Sequence, residues 1–254
     1  MQRIDLNCDL GESYGIWTLG QDEQVLAQVS SANIACGFHA GDPGTMRRTV
    51  ALAAARGVAI GAHPSLPDLQ GFGRREMAVS ADEVHALTLY QIGALHSFAK
   101  SKNTQMNHVK PHGALYNMAA RDPALAEAIA AAVAEFDRDL ILVGLAGSAL
   151  LAAGRAAGLA VAAEAFCDRR YRADGSLMPR READAVIHDA DMAITQALSI
   201  VQQGCVTAGD GSRVVISADT LCIHGDQPNA AVFAARLRAA LVAAGVEIRA
   251  LSNC

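Results

Sequence analysis

Short apolar runs alternate with longer stretches of helical period along the chain. The runs are Ile4–Asp9, Ala32–Cys36, Val58–Ala62, Met106–Lys110, Leu140–Leu145, Leu159–Glu164 and Ile216–Ile223. They read as apolar on both faces, which predicts parallel strands covered by helices rather than half-solvated antiparallel ones.

The segments between them carry helix start and stop signals. Ser80–Ala81–Asp82–Glu83 has the form of a capping box, and Val84, Leu87, Gln91, Leu95 and Phe98 follow at helical spacing, apolar except for one glutamine. Asp42–Pro43 and Asp122–Pro123 each read as an N-cap followed by proline in the first turn. Leu125, Ile129, Val133 and Phe136 form one stripe, and Gly57, Gly158, Gly204 and Gly245 stand where helices end. Val206, Gly209–Asp210–Gly211 and Val214–Val215 predict a β-hairpin before the last strand. Seven strand–helix units without a Pro/Ser-rich linker predict one domain over residues 1–254. A closed or nearly closed (β/α) barrel is the first expectation and an open doubly wound sheet the second.

Composition narrows the chemistry. Apolar residues make up 52% of the chain but aromatics only 4%, so the core must be built from Ala, Leu, Val and Ile. The net charge of −5, with no basic cluster beyond Arg169, Arg170 and Arg172, excludes a nucleic-acid partner. MQRIDLNCDLGE has no apolar signal core, and no stretch approaches the roughly 20 apolar residues of a membrane span, so no membrane contact and a cytoplasmic location are expected. The cysteines form no CxxC pair, and Cys8, Cys36 and Cys222 sit in strand-like runs where a reduced thiol is a small hydrophobe. No phosphate loop, dinucleotide fingerprint or G-x-S-x-G elbow occurs. Gly144, Gly147 and Ser148 offer a weak anion-binding signal at a helix N-terminus.

The polar residues gather where the strands end. Asn7, Asp9 and Glu12 follow the first strand, His39 and Asp42 the second, and His63 and Asp68 the third. Lys110 and His112 follow the fourth, Glu164, Asp168 and Arg169 the sixth, and Asp219, His224 and Asp226 the last. In α/β barrels and sheets, ligand sites form at the carboxyl ends of strands. Plainer roles compete at several positions: Asp42 and Asp226 as helix caps, Asp68 as a turn residue, and His85, His96 and His188 as surface or packing residues. His39, His63 and His112 differ, because Gly37, Gly41, Pro64, Pro111 and Gly113 beside them permit close backbone approach and hold the rings. Asp9 with two or three imidazoles would make a mixed N/O site for Zn²⁺ or a similar divalent ion, with an open position to activate water. Without a metal the same groups serve as general acid and base.

The segments IDLNCDLGESYGIW, SANIACGFHAGDP, VAIGAHPSLPDLQGFGRR, HVKPHGALYN, GLAGS, DRRYRADGSLMPR and DTLCIHGDQP resemble, in order, the signature blocks of the LamB/YcsF family. Leu66, where an aromatic is expected, and Cys167, where Ala is expected, are the departures. The resemblance implies a seven-stranded, irregular (β/α) barrel of the glycoside hydrolase/deacetylase type. It implies a role as the A subunit of an ATP-dependent 5-oxoprolinase, which cleaves 5-oxo-L-proline to L-glutamate with separate B and C subunits and with ATP as cosubstrate of the complex. The competing roles are an independent metal-dependent deacetylase or amidohydrolase, and a non-catalytic subunit that activates its partners. On this reading Asp9, Glu12, His63 and His112 are the catalytic candidates, and Asp9, His39, His63 and His112 the metal candidates. Lys110, Arg169 and His224 are the candidates to bind substrate.

Overall fold

The computed structural model describes residues 2–224, His224 by its backbone alone, and residues 229–252. The strands in chain order are β1 (Arg3–Leu10), β2 (Ser31–Ala35), β3 (Ala59–His63), β4 (Met106–Val109), β5 (Ile141–Leu145), β6 (Val161–Phe166), β7 (Cys205–Thr207), β8 (Arg213–Val215), β9 (Thr220–His224) and β10 (Glu247–Ile248). The helices are α1 (Asp22–Leu26), α2 (Pro43–Ala55), α3 (Ala81–Ser101), α4 (Gly113–Arg121), α5 (Pro123–Phe136), α6 (Ala149–Ala156), α7 (Ala190–Gln203) and α8 (Ala230–Ala243).

Strands β1 to β6 and β9 run parallel in that order, and β9 pairs back onto β1, with Leu6 opposite Leu221 and Cys8 opposite Ile223. The sheet is therefore a closed seven-stranded parallel barrel, and the open doubly wound alternative is excluded. β10 adds to the first residues of β1, outside the closed ring.

The expectation of strands apolar on both faces needs correction. In β1, Ile4, Leu6, Cys8 and Leu10 belong to the apolar core beneath the helices, whereas Asp5, Asn7 and Asp9 take part in hydrogen bonds across the lumen. The period-2 geometry of a strand sends alternate residues to opposite faces. Ser31 and Asn33 of β2, His108 of β4 and Glu164 of β6 share that polar interior. The barrel is thus polar inside and apolar between sheet and helices.

Most local signals take their expected form. Ser80 and Glu83 form a complete capping box; Asp42 accepts from the Gly44 and Thr45 amides, and Asp122 from those of Ala124 and Leu125. The four helix-ending glycines adopt positive φ. The hairpin is present as β7–β8, with Val206 opposite Val214. Boundaries shift elsewhere: β3 extends to include His63, β6 starts at Val161, and β9 starts only at Thr220. Ile216 stays outside β9 because its amide donates to the Gly204 carbonyl beside the hairpin. Among the described residues, no helix is long and apolar enough to cross a membrane.

Candidate active site

Glu12, His39, His63 and His112 are brought together at the carboxyl end of the barrel, all buried, with one ligand atom from each lying within 4.8 Å of the others. His63 closes β3, and Glu12 follows β1 by two residues. His39 stands on a tight turn after β2, and Gly41 makes that turn possible: its φ is +79°, and a Cβ there would fall 2.5 Å from the Ala35 carbonyl oxygen. His112 is the residue before α4, and its ring stacks on His39 with centroids 3.8 Å apart. Phe72 meets both rings edge-on, at 5.5 and 5.3 Å.

Backbone carbonyls define which ring nitrogens carry hydrogen. His63 donates from Nδ1 to the Lys110 carbonyl at 2.7 Å, and His112 donates from Nε2 to the Phe72 carbonyl at 2.9 Å. The other two ring nitrogens face each other at 2.9 Å. Glu12 Oε1 lies 3.4 Å from His112 Nδ1 and 3.2 Å from His39 Nε2. Burial, reinforced by neighbouring histidines, pushes His39 and His112 well below the usual imidazole range, which disfavours a proton between them. His39 Nδ1 is buried with no partner among the described residues. Convergent imidazoles and a carboxylate, with two rings oriented from behind by carbonyls, fit a divalent cation. The set differs from the sequence expectation in one member: Glu12 completes it, while Asp9 stands at its edge, Oδ2 3.4 Å from His63 Nε2.

Beneath the cluster lies an ionic floor. Lys110 Nζ reaches Asp9 Oδ1 at 2.9 Å, Glu164 Oε1 at 2.7 Å and Asn7 Oδ1 at 3.1 Å, with Cys222 Sγ at 3.2 Å. Burial alone would discharge this ammonium, but the charges of Asp9 and Glu164 more than offset it and hold its pKa well above the usual lysine value. Asn33 donates to Asp9 Oδ1 at 2.8 Å and to Asn7 Oδ1 at 2.7 Å, and His108 Nε2 donates to Asn33 Oδ1 at 2.7 Å. Deeper still, Asp5 accepts from the hydroxyls of Ser30, Ser31 and Thr220, and burial raises its pKa.

The other sequence candidates are distributed as follows. Lys110, expected at the substrate, is 2% exposed and saturated by the floor, so its contact with the pocket runs through Asp9. Arg169 is buried after β6 and hydrogen-bonds the Met178 and Ala185 carbonyls, pinning the excursion that follows. Asp42 is a helix cap, and Asp68 pairs with Arg75 within its own turn. Asp219 is not at a strand exit: it precedes β9 and accepts from the Ala163 amide. His85 pairs with Glu135, and His96 packs on Phe136. Cys8, Cys36 and Cys222 are buried thiols whose pKa values burial raises. Leu66 is fully buried, and Cys167 is also interior. The His224 side chain and Asp226 lie outside the described residues.

Three contributors are not among the sequence candidates. Asn33 and His108 are hidden within runs that read as apolar, where polar residues at alternate positions are the available signal. Gln91 is the one polar member of an apolar helix stripe. It holds the Ser65 amide and carbonyl, each at 2.9 Å, and so ties α3 to the loop that leaves His63.

The model of the LamB/YcsF family matches residues 4–254 of the chain. A protein of Bordetella pertussis, named as the A subunit of 5-oxoprolinase, is 60% identical over 247 residues, spanning 97% of this chain and 98% of that protein. The structure described as a lactam utilization protein from Thermus thermophilus superposes with a TM-score of 0.93 at 52% identity, covering 98% of this chain and 100% of that one. A family 4 carbohydrate esterase from Streptomyces lividans, 11% identical with a TM-score of 0.52 over 100% of this chain and 98% of that one, shares the fold.

Proposed function

The chain belongs to the LamB/YcsF family, and from that premise we propose that it is the A subunit of an ATP-dependent 5-oxoprolinase. In this reading 5-oxo-L-proline, ATP and two waters become L-glutamate, ADP and phosphate, and residues 1–254 act as one barrel domain in the cytoplasm. Support comes from the near-full-length match to a relative of that name at 60% identity.

A five-membered lactam is a stable amide, so its opening gains from coupling to ATP. The chain has no phosphate loop, so the B and C subunits would transfer the ATP phosphoryl group to the lactam oxygen and this chain would direct water onto the activated carbon. The C–N bond then breaks, the nitrogen leaves as the protonated amine of glutamate, and a second water releases the phosphate. Glu12, His39, His63 and His112 are the residues that would hold a divalent metal, with Asp9 beside them. Such an ion supplies Lewis acidity and a water of lowered pKa. Asp9 Oδ2, on the pocket side of the floor, is the base positioned to take a proton from attacking water, while Lys110 holds its other oxygen. The rings of His63 and His112 are held by the carbonyls of Lys110 and Phe72, so the cluster needs little reorganisation on substrate entry. Phe72 packs edge-on against the stacked histidines and helps hold their rings in place.

The test is reconstitution of the purified chain with the B and C subunits on 5-oxoproline and ATP, with glutamate as the readout. The chain alone should open no lactam, the assembly should, and His63→Ala or His112→Ala should remove at least about a hundredfold of the rate. Turnover by the lone chain would overturn the division of labour. Full activity with both variants would make the chain an activator without chemistry of its own.

A further inference from the structure

The turn after β5 carries donors that nothing among the described residues uses. Ser148 precedes α6 with extended geometry, φ −76° and ψ 161°, yet its side chain makes no capping bond to the helix it introduces. The residue is 8% exposed, and Ser148 Oγ is buried with no hydrogen-bond partner among the described residues. The helix behind it is eight residues long. Its first backbone bond from the loop is accepted by Ser148 itself, from the Ala152 amide, and the Ser148 amide donates to Leu145. The amides of Ala149 and Leu150 find no carbonyl or side chain among the described residues. In front of them the chain turns through Gly147, exposed at φ +79°, where an added Cβ would meet nothing within 4 Å.

An ordinary N-cap serine folds back onto its own helix. Here the hydroxyl and the amides are left without partners among the described residues at the positive end of a helix dipole, next to the exposed turn at Gly147. Together they make the donor set of an anion site. Its place in the barrel links it to the cluster. β5 pairs with β4, which leads to Lys110 and His112, and with β6, where Leu145 lies opposite Glu164. Ser148 thus follows the strand lying between the exits that carry His112 on one side and Arg169 on the other. Arg169, the residue first expected to hold a substrate carboxylate, already donates to two loop carbonyls.

We infer that Ser148 Oγ and the first amides of α6 bind the carboxylate of the substrate, orienting its reactive carbonyl toward the Glu12–His39–His63–His112 cluster. This rests on the functional reading above and adds the determinant that separates 5-oxoproline from an uncharged lactam. A hydroxyl and amides give directed hydrogen bonds to a carboxylate, and an uncharged carboxamide in its place would set its own N–H groups against them.

The test uses the assembly reconstituted from all three subunits, comparing 5-oxoproline with its carboxamide analogue. Two variants probe the site separately. Ser148→Ala removes the hydroxyl. Ala149→Pro removes one amide at the first helical position, where proline is favoured and where the extended Ser148 suits a following proline. Each should raise KM for 5-oxoproline by about ten- to a hundredfold, the loss expected of one hydrogen bond to a charged group, while kcat changes far less. Each should also shrink the preference for 5-oxoproline over the carboxamide. If the wild-type assembly releases glutamate and both variants keep its KM and its preference, the subsite is wrong and the functional reading stands. If the wild-type assembly releases no glutamate from 5-oxoproline, the functional reading falls and takes this substrate assignment with it.

Discussion

The ring of His108 lies against the bare backbone of Gly61, so close that a Cβ on Gly61 would fall 2.1 Å from Nε2 and 2.2 Å from Cδ2. Gly61 sits on β3 opposite His108 of β4, where the register between the two strands shifts. The missing side chain lets the imidazole cross the lumen and donate to Asn33, which in turn holds Asp9.

Gly61→Ala should therefore overpack the lumen and destabilise the fold by about 1–3 kcal/mol. His108→Ala should also cost stability, but the double variant should cost less than the sum, because the alanine methyl then occupies vacated space. Urea unfolding of the four proteins gives the coupling. Strictly additive costs would mean that the contact does not determine the packing.

His108 also sets an acid limit. Burial, with Lys110 and His63 nearby, lowers its pKa from the usual 6.5 to about 3. The ring is neutral in the folded protein, whereas in the unfolded chain it takes a proton near pH 6.5. The unfolded state then binds more protons between pH 6.5 and about 3, so stability is fully present above that window and is lost as pH falls through it. The slope from this one residue is about 1.4 kcal/mol per pH unit. His108→Gln keeps a donor for Asn33 without the titration, so its stability between pH 6.5 and 4 should fall less steeply than that of the parent. Parallel slopes would show that the proton goes elsewhere.

Lys110 neutralises the floor of the site rather than the substrate. Lys110→Met leaves Asp9 and Glu164 buried without the ammonium that both contact, a loss of about 3–5 kcal/mol at neutral pH. The stranded carboxylates would have raised pKa values in the folded state, so acidification should narrow the gap between variant and parent. Chemical denaturation at pH 7.5 and pH 5.5 measures it; a gap that widens at the lower pH would contradict the ionic floor.

The barrel was legible because parallel strands and their caps are local: Ser80 with Glu83, Asp42 before Pro43 and Asp122 before Pro123 each report their helix within four residues. The gathering of His39, His63 and His112 was also readable, since strand exits in such a fold converge on one end. The polar lumen was not. Asp5, Asn7 and Asp9 alternate with Ile4, Leu6, Cys8 and Leu10, but their partners lie on other strands, up to 215 residues away for Asp5 and Thr220. Closure of the ring decides that contact, and no local pattern encodes it. The same holds for Lys110, whose place at the mouth or beneath it depends on whether Asp9 and Glu164 face it across the lumen. Ser148 stood in a weak glycine-rich signal, and only the absence of its capping bond distinguishes it from an ordinary helix start.

His63 Nε2 and His112 Nδ1 face each other at 2.9 Å, while each ring turns its other nitrogen to a backbone carbonyl. Purified chain should therefore bind one equivalent of a divalent transition metal. With Co²⁺ as the probe, visible d–d bands should report a low-coordinate N/O site, independent of any activity. His63→Ala and His112→Ala should weaken binding by at least about tenfold to a hundredfold, the range seen even for outer partners of such ligands. Glu12→Gln should weaken it too, since the carboxylate supplies the charge of the set, and Asp9→Asn should weaken it less if Asp9 stands outside the ligand sphere. Because the ligands bind metal only when deprotonated, and burial holds His39 and His112 well below the usual imidazole range, the loss of affinity that these two contribute should come only well below that range. Stoichiometric binding that survives both histidine variants would place the ion elsewhere. No binding at all at neutral pH would leave the facing nitrogens to an acid–base role, with one proton shared between them.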